Sequence, residues 1–247
     1  MSVSDDYSEL TTPEAIAQAR ALADAWKDPS IPAQQRDLAD RELAAWRTGA
    51  ECPPFDAFAW ALDAIVRATP YTHLALPRVP LLDIGCGSGY YSEVIDHWDA
   101  GLFSYHGVDY SPTMIDIARA RYAGNPLVSF DVADALALPC ADRAFDVVVS
   151  GCYLLHLTDD RWRDAIREAV RVSRRWVVFH RTPLLYAGPT RYFTKRAYGV
   201  PCLEIHFSVS EFRAALADAD LRVRFERQIA RTGEHANETW VCERMTA

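Results

Sequence analysis

Residues 81–91 read LLDIGCGSGYY, and this stretch decides the fold. The apolar run from Val79 to Ile84 predicts a buried strand, and alternate glycines and a helical pattern follow it at once. A strand, a glycine turn and a helix together present backbone N–H groups and a helix N-terminus to a ligand. Glycine suits this turn because a Cβ atom would obstruct both the bend and the ligand. The spacing differs from a dinucleotide fingerprint, since Tyr90 stands where the third glycine of that fingerprint belongs.

Three further predicted strands end in residues suited to a ligand site. Residues 105–109 predict a strand that ends in Asp109, whose carboxylate can accept hydrogen bonds from the two hydroxyls of a ribose. Residues 127–136 predict a strand that leads to Asp134. Asp131 is a weaker candidate for the ligand-binding carboxylate, because it lies inside the strand. Residues 145–150 predict a fourth strand that ends in Ser150. In a parallel sheet these ends meet at one edge.

The aspartate, the three alternating glycines and these later landmarks resemble the class I S-adenosylmethionine-dependent methyltransferases. The resemblance covers Leu81 to Leu157, extends loosely to the C-terminus and leaves out the first seventy residues. It implies that Asp109 holds the cofactor ribose, that Tyr110 or Met114 packs on the adenine, and that Asp134 accepts from the adenine amino group. The cofactor-binding residues that it implies are Asp83, Gly85, Cys86, Gly87, Gly89, Asp109, Tyr110, Met114, Asp134, Ala135 and Ser150.

The alternation of strands and helices from Leu81 to Arg181 predicts a parallel sheet with helical crossovers. The resemblance implies an α/β, Rossmann-like, seven-stranded, mostly parallel sheet with one antiparallel strand, helices on both faces and an N-terminal helical extension. We expect residues 1–70 to form a helical cap and residues 71–247 to form the methyltransferase domain. Within that domain, residues 181–207 are expected to be an irregular insertion that covers the substrate. Ser208 and Glu211 are expected to start the next helix with a capping box.

The sequence contains no obvious catalytic constellation. Transfer of a methyl group from a sulfonium needs an aligned nucleophile and exclusion of water, and it needs a base only when the acceptor is protonated at neutral pH. His156 follows the fourth predicted strand and His180 ends the fifth, both at the edge where open α/β sheets bind ligands. Each histidine is a candidate catalytic base, and the alternative for each is a local hydrogen bond that holds a loop.

Composition and missing motifs indicate the class of acceptor. The formal net charge of −8 argues against a partner held mainly through nucleic-acid phosphates. The fourth strand runs into Ser150-Gly151-Cys152-Tyr153, without the Asn/Asp-Pro-Pro-Tyr/Phe sequence of enzymes that methylate DNA adenine or protein glutamine. We therefore expect a small-molecule acceptor and no nucleic acid.

The six cysteines form no C-x-x-C pair and show no zinc spacing, so no metal site is expected. Asp159 and Asp160 are the one carboxylate pair near the site, and we interpret them as a cap for the helix that begins at Arg161. Reduced thiols and an acidic, polar N-terminus without a secretory leader favour a cytoplasmic protein. No run approaches the ~18 apolar residues of a membrane span, so no membrane partner is expected.

Three functions are compatible with these observations. The first is methyl transfer from S-adenosylmethionine to a small molecule. The second is a non-catalytic S-adenosylmethionine-binding regulator or partner subunit that retains the fold. The third is a nucleotide-dependent oxidoreductase, against which Tyr90 argues. The N-terminal helices either close the site or form the surface of a homodimer.

Overall fold

Ten strands form one mixed sheet in the computed structural model, which describes residues 7–19, 22, 26–28, 30–69, 71, 78–157 and 161–245. The strands are β1 (Tyr7–Leu10), β2 (Val79–Ile84), β3 (Phe103–Asp109), β4 (Val128–Val132), β5 (Phe145–Gly151), β6 (Ser173–Leu185), β7 (Arg191–Ala197), β8 (Val200–Ser208), β9 (Leu221–Thr232) and β10 (His235–Arg244). The helices in these residues are α1 (Pro13–Ala19), α2 (Ser30–Arg47), α3 (Pro53–Ala68), α4 (Tyr91–Asp99), α5 (Pro112–Arg121), α6 (Arg161–Val172) and α7 (Val209–Asp218).

Seven of the strands form the central sheet in the order β4-β3-β2-β5-β6-β10-β9. The first five of these are parallel to one another, and β10 runs antiparallel to both of its neighbours. The predicted α/β fold, with one antiparallel strand in a mostly parallel sheet, is therefore confirmed. This order brings the carboxyl ends of β2, β3, β4 and β5 side by side.

Strand β6 continues beyond the end of β5 and carries a three-stranded extension of the sheet. The last β5–β6 pair joins Gly151 to His180, and four residues later Leu184 pairs with Phe207 of β8. Strand β8 pairs antiparallel with β7, which pairs antiparallel with β1 at the edge. The prediction of an irregular insertion over residues 181–207 is wrong, because strands occupy most of it. Strand β8 is buried along most of its length, so it lacks the alternation that marks a half-exposed strand.

The N-terminal region is helical only in part. Helices α1, α2 and α3 agree with the predicted cap, but Tyr7–Leu10 forms the edge strand β1. Four residues are too few to reveal a strand by periodicity. The capping box predicted for α7 is also absent: Ser208 makes no side-chain cap, and the Glu211 carboxylate instead accepts from the Thr190 hydroxyl at 2.7 Å.

Side chains of the parallel strands alternate between two apolar layers. Leu82, Ile84 and Val148 pack in the layer that contains α6 and α7. Leu81 and Val147 pack in the opposite layer, with α3, α4 and α5. All five side chains are fully buried, so the sheet is covered on both faces around the ends of β2 and β5.

Replacement of Phe212 tests the first of these layers. Its buried ring contacts the aromatic rings of Trp162, Phe179, Phe207 and Trp240. We expect Phe212→Ala to lower the free energy of unfolding by about 3–5 kcal/mol, because the cavity left behind cannot collapse fully. Urea denaturation measures the loss. Phe212→Leu should lose less than half as much, and equal losses for the two variants would contradict this packing.

Candidate functional site

A cavity of about 850 Å³ opens at the carboxyl ends of β2, β3, β4 and β5. This volume lies in the range of about 300–1,000 Å³ that is usual for small-molecule sites. Most of the predicted site residues line it, namely Gly85, Cys86, Gly87, Asp109, Tyr110, Met114, Asp134, Ala135 and His156. We term one part of this cavity the loop end. It is lined by Gly85, Cys86, Gly87, Asp109, Tyr110, Met114, Asp134 and Ala135.

The glycine turn is held against side chains from distant parts of the chain. Gly85 has a φ of +73°, and a Cβ atom there would lie 2.6 Å from the Cβ of Tyr153. A Cβ atom at Gly89 would lie 2.6 Å from the ring of Phe130. Gly89 also has a positive φ, of +77°, so both positions require glycine for conformation as well as for space. The turn is fixed between the chain after β5 and the side chain from β4.

Asp109 is the anchor of the loop end. Its Oδ2 accepts a hydrogen bond from the Gly87 N–H at 3.0 Å, and its Oδ1 accepts from the Ser111 N–H at 2.9 Å. Burial raises the pKa of Asp109, and these N–H donors act in the opposite direction. A carboxylate offers about four acceptor positions. The Tyr110 N–H also acts on this carboxylate, so backbone groups use three of these positions at most and acceptor capacity remains for a ligand.

The other predicted contacts of the loop end lie just after β3, on α5 and just after β4. Met114 is buried in the wall, whereas Tyr110 is about one-third exposed, with the Lys27 ammonium 5.4 Å from its ring centroid. The Asp134 carboxylate accepts from the Leu136 N–H at 2.9 Å, which orients it in a turn. The structure thus brings Asp109, Tyr110, Met114 and Asp134 to one wall.

Three predicted cofactor-binding residues, Asp83, Gly89 and Ser150, lie behind the wall of the cavity. Asp83 is fully buried beneath the glycine turn, where the Tyr105 hydroxyl donates to its Oδ2 at 2.6 Å. Its Oδ1 has no hydrogen-bond partner among the described residues. Burial raises the pKa of Asp83 to about 7, with the Tyr105 hydrogen bond opposing this shift. These residues shape the turn without lining the cavity.

His180 does not reach the cavity, which corrects its assignment as a candidate base. The ring is fully buried, with Nε2 2.7 Å from the Tyr91 hydroxyl and Nδ1 2.8 Å from the Thr239 hydroxyl. Burial, together with the nearby charge of Arg181, lowers the pKa of His180 well below its ordinary value. A neutral ring with both nitrogens engaged by the protein can orient Tyr91, which does line the cavity.

His156 does line the cavity, on the single-turn 3₁₀ helix Leu154–His156. Its Nδ1 lies 2.8 Å from the Leu203 carbonyl oxygen. A carbonyl only accepts hydrogen bonds, so Nδ1 carries the hydrogen and the neutral ring has its lone pair on Nε2. The Trp26 ring packs on the imidazole with centroids 4.6 Å apart.

Beyond His156, the cavity is lined mainly by residues for which no individual role was predicted from the sequence, although residues 181–207 were expected to cover the substrate. This distal end is formed by Tyr7, Trp26, Tyr91, Cys152, His156, Arg181, Lys195, Tyr198 and Glu204. The signal that could have revealed part of it is Glu204 and His206 within an otherwise apolar run. Two charged or polar residues in a buried strand indicate a site or a hydrogen-bond network.

Glu204 is the centre of a polar network at the distal end. Its carboxylate accepts from the Tyr7 hydroxyl at 3.1 Å and from His206 Nε2 at 3.2 Å. Lys195 donates to the Tyr7 hydroxyl at 2.8 Å and has its ammonium 3.6 Å from the carboxylate. Burial would raise the pKa of Glu204, but the His206 hydrogen bond and the Lys195 charge lower it to about 2. Glu204 is therefore ionised and paired with Lys195.

The described residues contain no group of three or more His, Cys, Asp or Glu side chains arranged to hold a metal ion. Asp159 and Asp160, interpreted from sequence as a helix cap, lie outside the described residues. In the part of the chain that the structure describes, no helix is both long and apolar enough to span a membrane.

Comparison with known proteins agrees with this geometry. Residues 81–175 match the family described as methyltransferase domain. Ajmaline N-methyltransferase of Rauvolfia serpentina is 40% identical over 97 residues, which are 38% of this chain and 32% of that protein. Demethylmenaquinone methyltransferase of Roseiflexus sp. (strain RS-1) is 33% identical over 141 residues, which are 54% of this chain and 58% of that protein. The chain therefore spans only part of the length of these relatives.

A solved structure supports the fold. Burkholderia thailandensis 1,6-didemethyltoxoflavin-N1-methyltransferase, with bound 1,6-didemethyltoxoflavin and S-adenosylhomocysteine, superimposes with a TM-score of 0.59 at 18% identity. The match covers 97% of this chain and 93% of that one. Residues 81–175 therefore match a methyltransferase domain, and the strand order and the solved structure show that the fold is the one adopted by S-adenosylmethionine-dependent methyltransferases.

The first prediction from the site concerns Gly85, with Gly124 as its matched control. Both residues have a positive φ, but a Cβ atom at Gly124 would meet nothing within 4 Å. Alanine at either position costs about 1–2 kcal/mol for the left-handed backbone. Gly85→Ala should lose about 1–3 kcal/mol more in urea denaturation, because its Cβ collides with Tyr153. Equal losses for the two variants would contradict the close contact.

The second prediction concerns the pH dependence of stability. The pKa of Asp83 is about 7 in the folded protein and about 4 in an unfolded chain. Between these values the folded state holds a proton that the unfolded state has released, so raising the pH favours unfolding. We expect the stability of the native protein, relative to Asp83→Asn, to fall by up to ~1.4 kcal/mol per pH unit from about pH 4 to 7. Urea denaturation at several pH values measures this difference, and a difference independent of pH would contradict the assignment.

Proposed function

We propose that the protein transfers a methyl group from S-adenosylmethionine to a small-molecule acceptor. The observation that carries the proposal is the Asp109 carboxylate, which is fixed by the Gly87 N–H and retains acceptor capacity at the cavity wall. This arrangement suits the two hydroxyls of a ribose. The relatives named above are methyltransferases whose names specify small molecules, an alkaloid and a quinone precursor, which supports an acceptor of the same size class.

The residues of the loop end fit the cofactor. Asp109 would hold the ribose, Tyr110 and Met114 would flank the adenine, and Asp134 with the Ala135 backbone would contact the adenine edge. The glycine turn gives backbone atoms close access, because no Cβ atoms intervene. Asp83, Gly89 and Ser150 would act indirectly, since they support the wall from behind.

When bound, S-adenosylmethionine supplies a methyl group on a sulfonium whose leaving group is already activated. The chain must then hold the acceptor in line and keep water away. Aromatic side chains such as Trp26 and Tyr198 line the distal end and exclude water. His156 is suited to accept an acceptor proton at Nε2, because Nδ1 is fixed on the Leu203 carbonyl.

Both predicted regions of the chain contribute residues to the wall of the cavity. We propose that residues 1–70 cap a methyltransferase domain of residues 71–247, since Tyr7, Trp26, Lys27 and Gln35 line the cavity. Residues 181–207 would cover the acceptor as strands β7 and β8 instead of as an irregular insertion, since Lys195 and Glu204 lie on these strands and line the distal end.

Titration calorimetry with S-adenosylhomocysteine tests the cofactor assignment. We expect the native protein to bind with a micromolar dissociation constant and Asp109→Ala to weaken binding at least ~100-fold. Two lost hydrogen bonds to a charged acceptor, at about 1.5–3 kcal/mol each, account for this factor. Asp131→Ala is the matched control, because Asp131 is an exposed carboxylate on β4, ion-paired with Arg119 and absent from the cavity wall. No binding to the native protein would overturn the proposal.

Turnover separates the enzyme from a non-catalytic binder. The protein is incubated with S-adenosylmethionine and a broad metabolite panel, and formation of S-adenosylhomocysteine and of methylated product is followed by mass spectrometry. Product formation is expected. Firm cofactor binding without product over the panel would favour a regulator or partner subunit, and tight NADH binding would favour an oxidoreductase.

A further inference from the structure

Arg181 occupies an unusual backbone position at the distal end of the cavity. It follows the last β5–β6 pair, Gly151 with His180, and lies where the register between β6 and β10 shifts. Its φ is +56°, a left-handed conformation that arginine rarely adopts. Cys152, the residue after β5, also has a positive φ of +58°. The local backbone therefore departs from regular strand geometry where Arg181 enters the cavity wall.

Polar side chains surround the Arg181 guanidinium. The hydroxyl groups of Tyr90 and Tyr91 and the Cys152 thiol lie near its charge. The Tyr91 hydroxyl is 2.7 Å from His180 Nε2, and His180 Nδ1 is 2.8 Å from the Thr239 hydroxyl. His180 and Thr239 therefore fix Tyr91 in its position beside Arg181.

The charge of Arg181 is not balanced by a carboxylate among the described residues. None of their carboxylate oxygens lies within the 4.0 Å ion-pair distance of its guanidinium, although the residue is partly buried. Lys195 and Glu204 also lie at the distal end, and their opposite charges pair with each other. Cys152 is the nearby acidic group; burial raises its pKa, but Arg181 and His156 outweigh burial and hold it below its usual value. A partly buried cation at the wall of a cavity, without a carboxylate partner, favours an anionic group on a ligand that enters the cavity.

We propose that Arg181 binds an anionic oxygen of the methyl acceptor, either a carboxylate or an ionised hydroxyl group. The planar guanidinium offers several donors in a fixed geometry, which suits both kinds of oxygen. The aromatic rings of Trp26 and Tyr198, with centroids 5.9 Å apart, form an adjacent wall suited to a planar acceptor. The inference rests on the proposed function and adds the charge class of the acceptor to it.

The test is binding of small aromatic probes to protein saturated with S-adenosylhomocysteine. Benzoate is compared with its neutral isostere benzamide, and 4-nitrophenol is compared above and below the pH at which it ionises. We expect benzoate to bind at least tenfold more tightly than benzamide, or 4-nitrophenol to bind at least tenfold more tightly when ionised. The first result identifies a carboxylate acceptor and the second an ionised hydroxyl. No charge preference in either pair would overturn the inference.

Variants assign the preference to Arg181. Arg181→Met should remove the preference for the charged probe without changing benzamide affinity. If the methionine variant does not fold, Arg181→Lys takes its place and should retain part of the preference. Arg227→Gln, on the exposed strand β9 and outside the cavity wall, is the control and should match the native protein. A preference that persists undiminished in a folded Arg181 variant would overturn the inference. S-Adenosylhomocysteine affinity is measured for each protein: failure of the native protein to bind it overturns the proposed function, whereas intact binding without charge preference overturns only the role of Arg181.

Discussion

The close contact between the glycine turn and Asp109 is the constraint on which the loop end depends. The Gly87 N–H reaches the carboxylate at the end of β3 only because the turn after β2 bends back over that strand. The bend needs glycine at Gly85, where Tyr153 leaves no room for a Cβ atom. One hydrogen bond and one steric contact therefore join the ends of β2, β3 and β5 into a single wall, to which β4 adds Asp134.

The two ends of the cavity solve different electrostatic problems. At the loop end, the Asp109 charge is held by backbone N–H groups, so the carboxylate is fixed without a fixed cation. At the distal end, charged side chains meet in a buried region, and Lys195 with Glu204 forms a balanced pair. Arg181 also lies at the distal end, and no carboxylate among the described residues pairs with it. This difference fits the proposed roles, in which the loop end holds the cofactor and the distal end holds the acceptor.

The sequence predicted the loop end better than the distal end, for a physical reason. Asp109 and the glycines lie close to strand ends, where local chain chemistry fixes what they can do. Glu204 and Arg181 reach the cavity through pairing of β8 with the extension of β6, and local sequence does not specify which strands pair over such a distance. His180 was misassigned because β6 does not end there but continues to Leu185, and the His180 side chain is buried in the core. Strand β1 is too short to be visible from periodicity.

Strand β1 has a consequence for how the molecule is made. Tyr7 contacts Lys195 across 188 positions of sequence, so its place in the network cannot form until β7 has left the ribosome. The glycine turn and Asp109, only 22 positions apart, can meet much earlier during synthesis. A nascent chain halted before β7 would hold every element of the turn, and Arg181 as well, but neither Lys195 nor Glu204. The balanced charge pair of the distal end is therefore completed only late in synthesis.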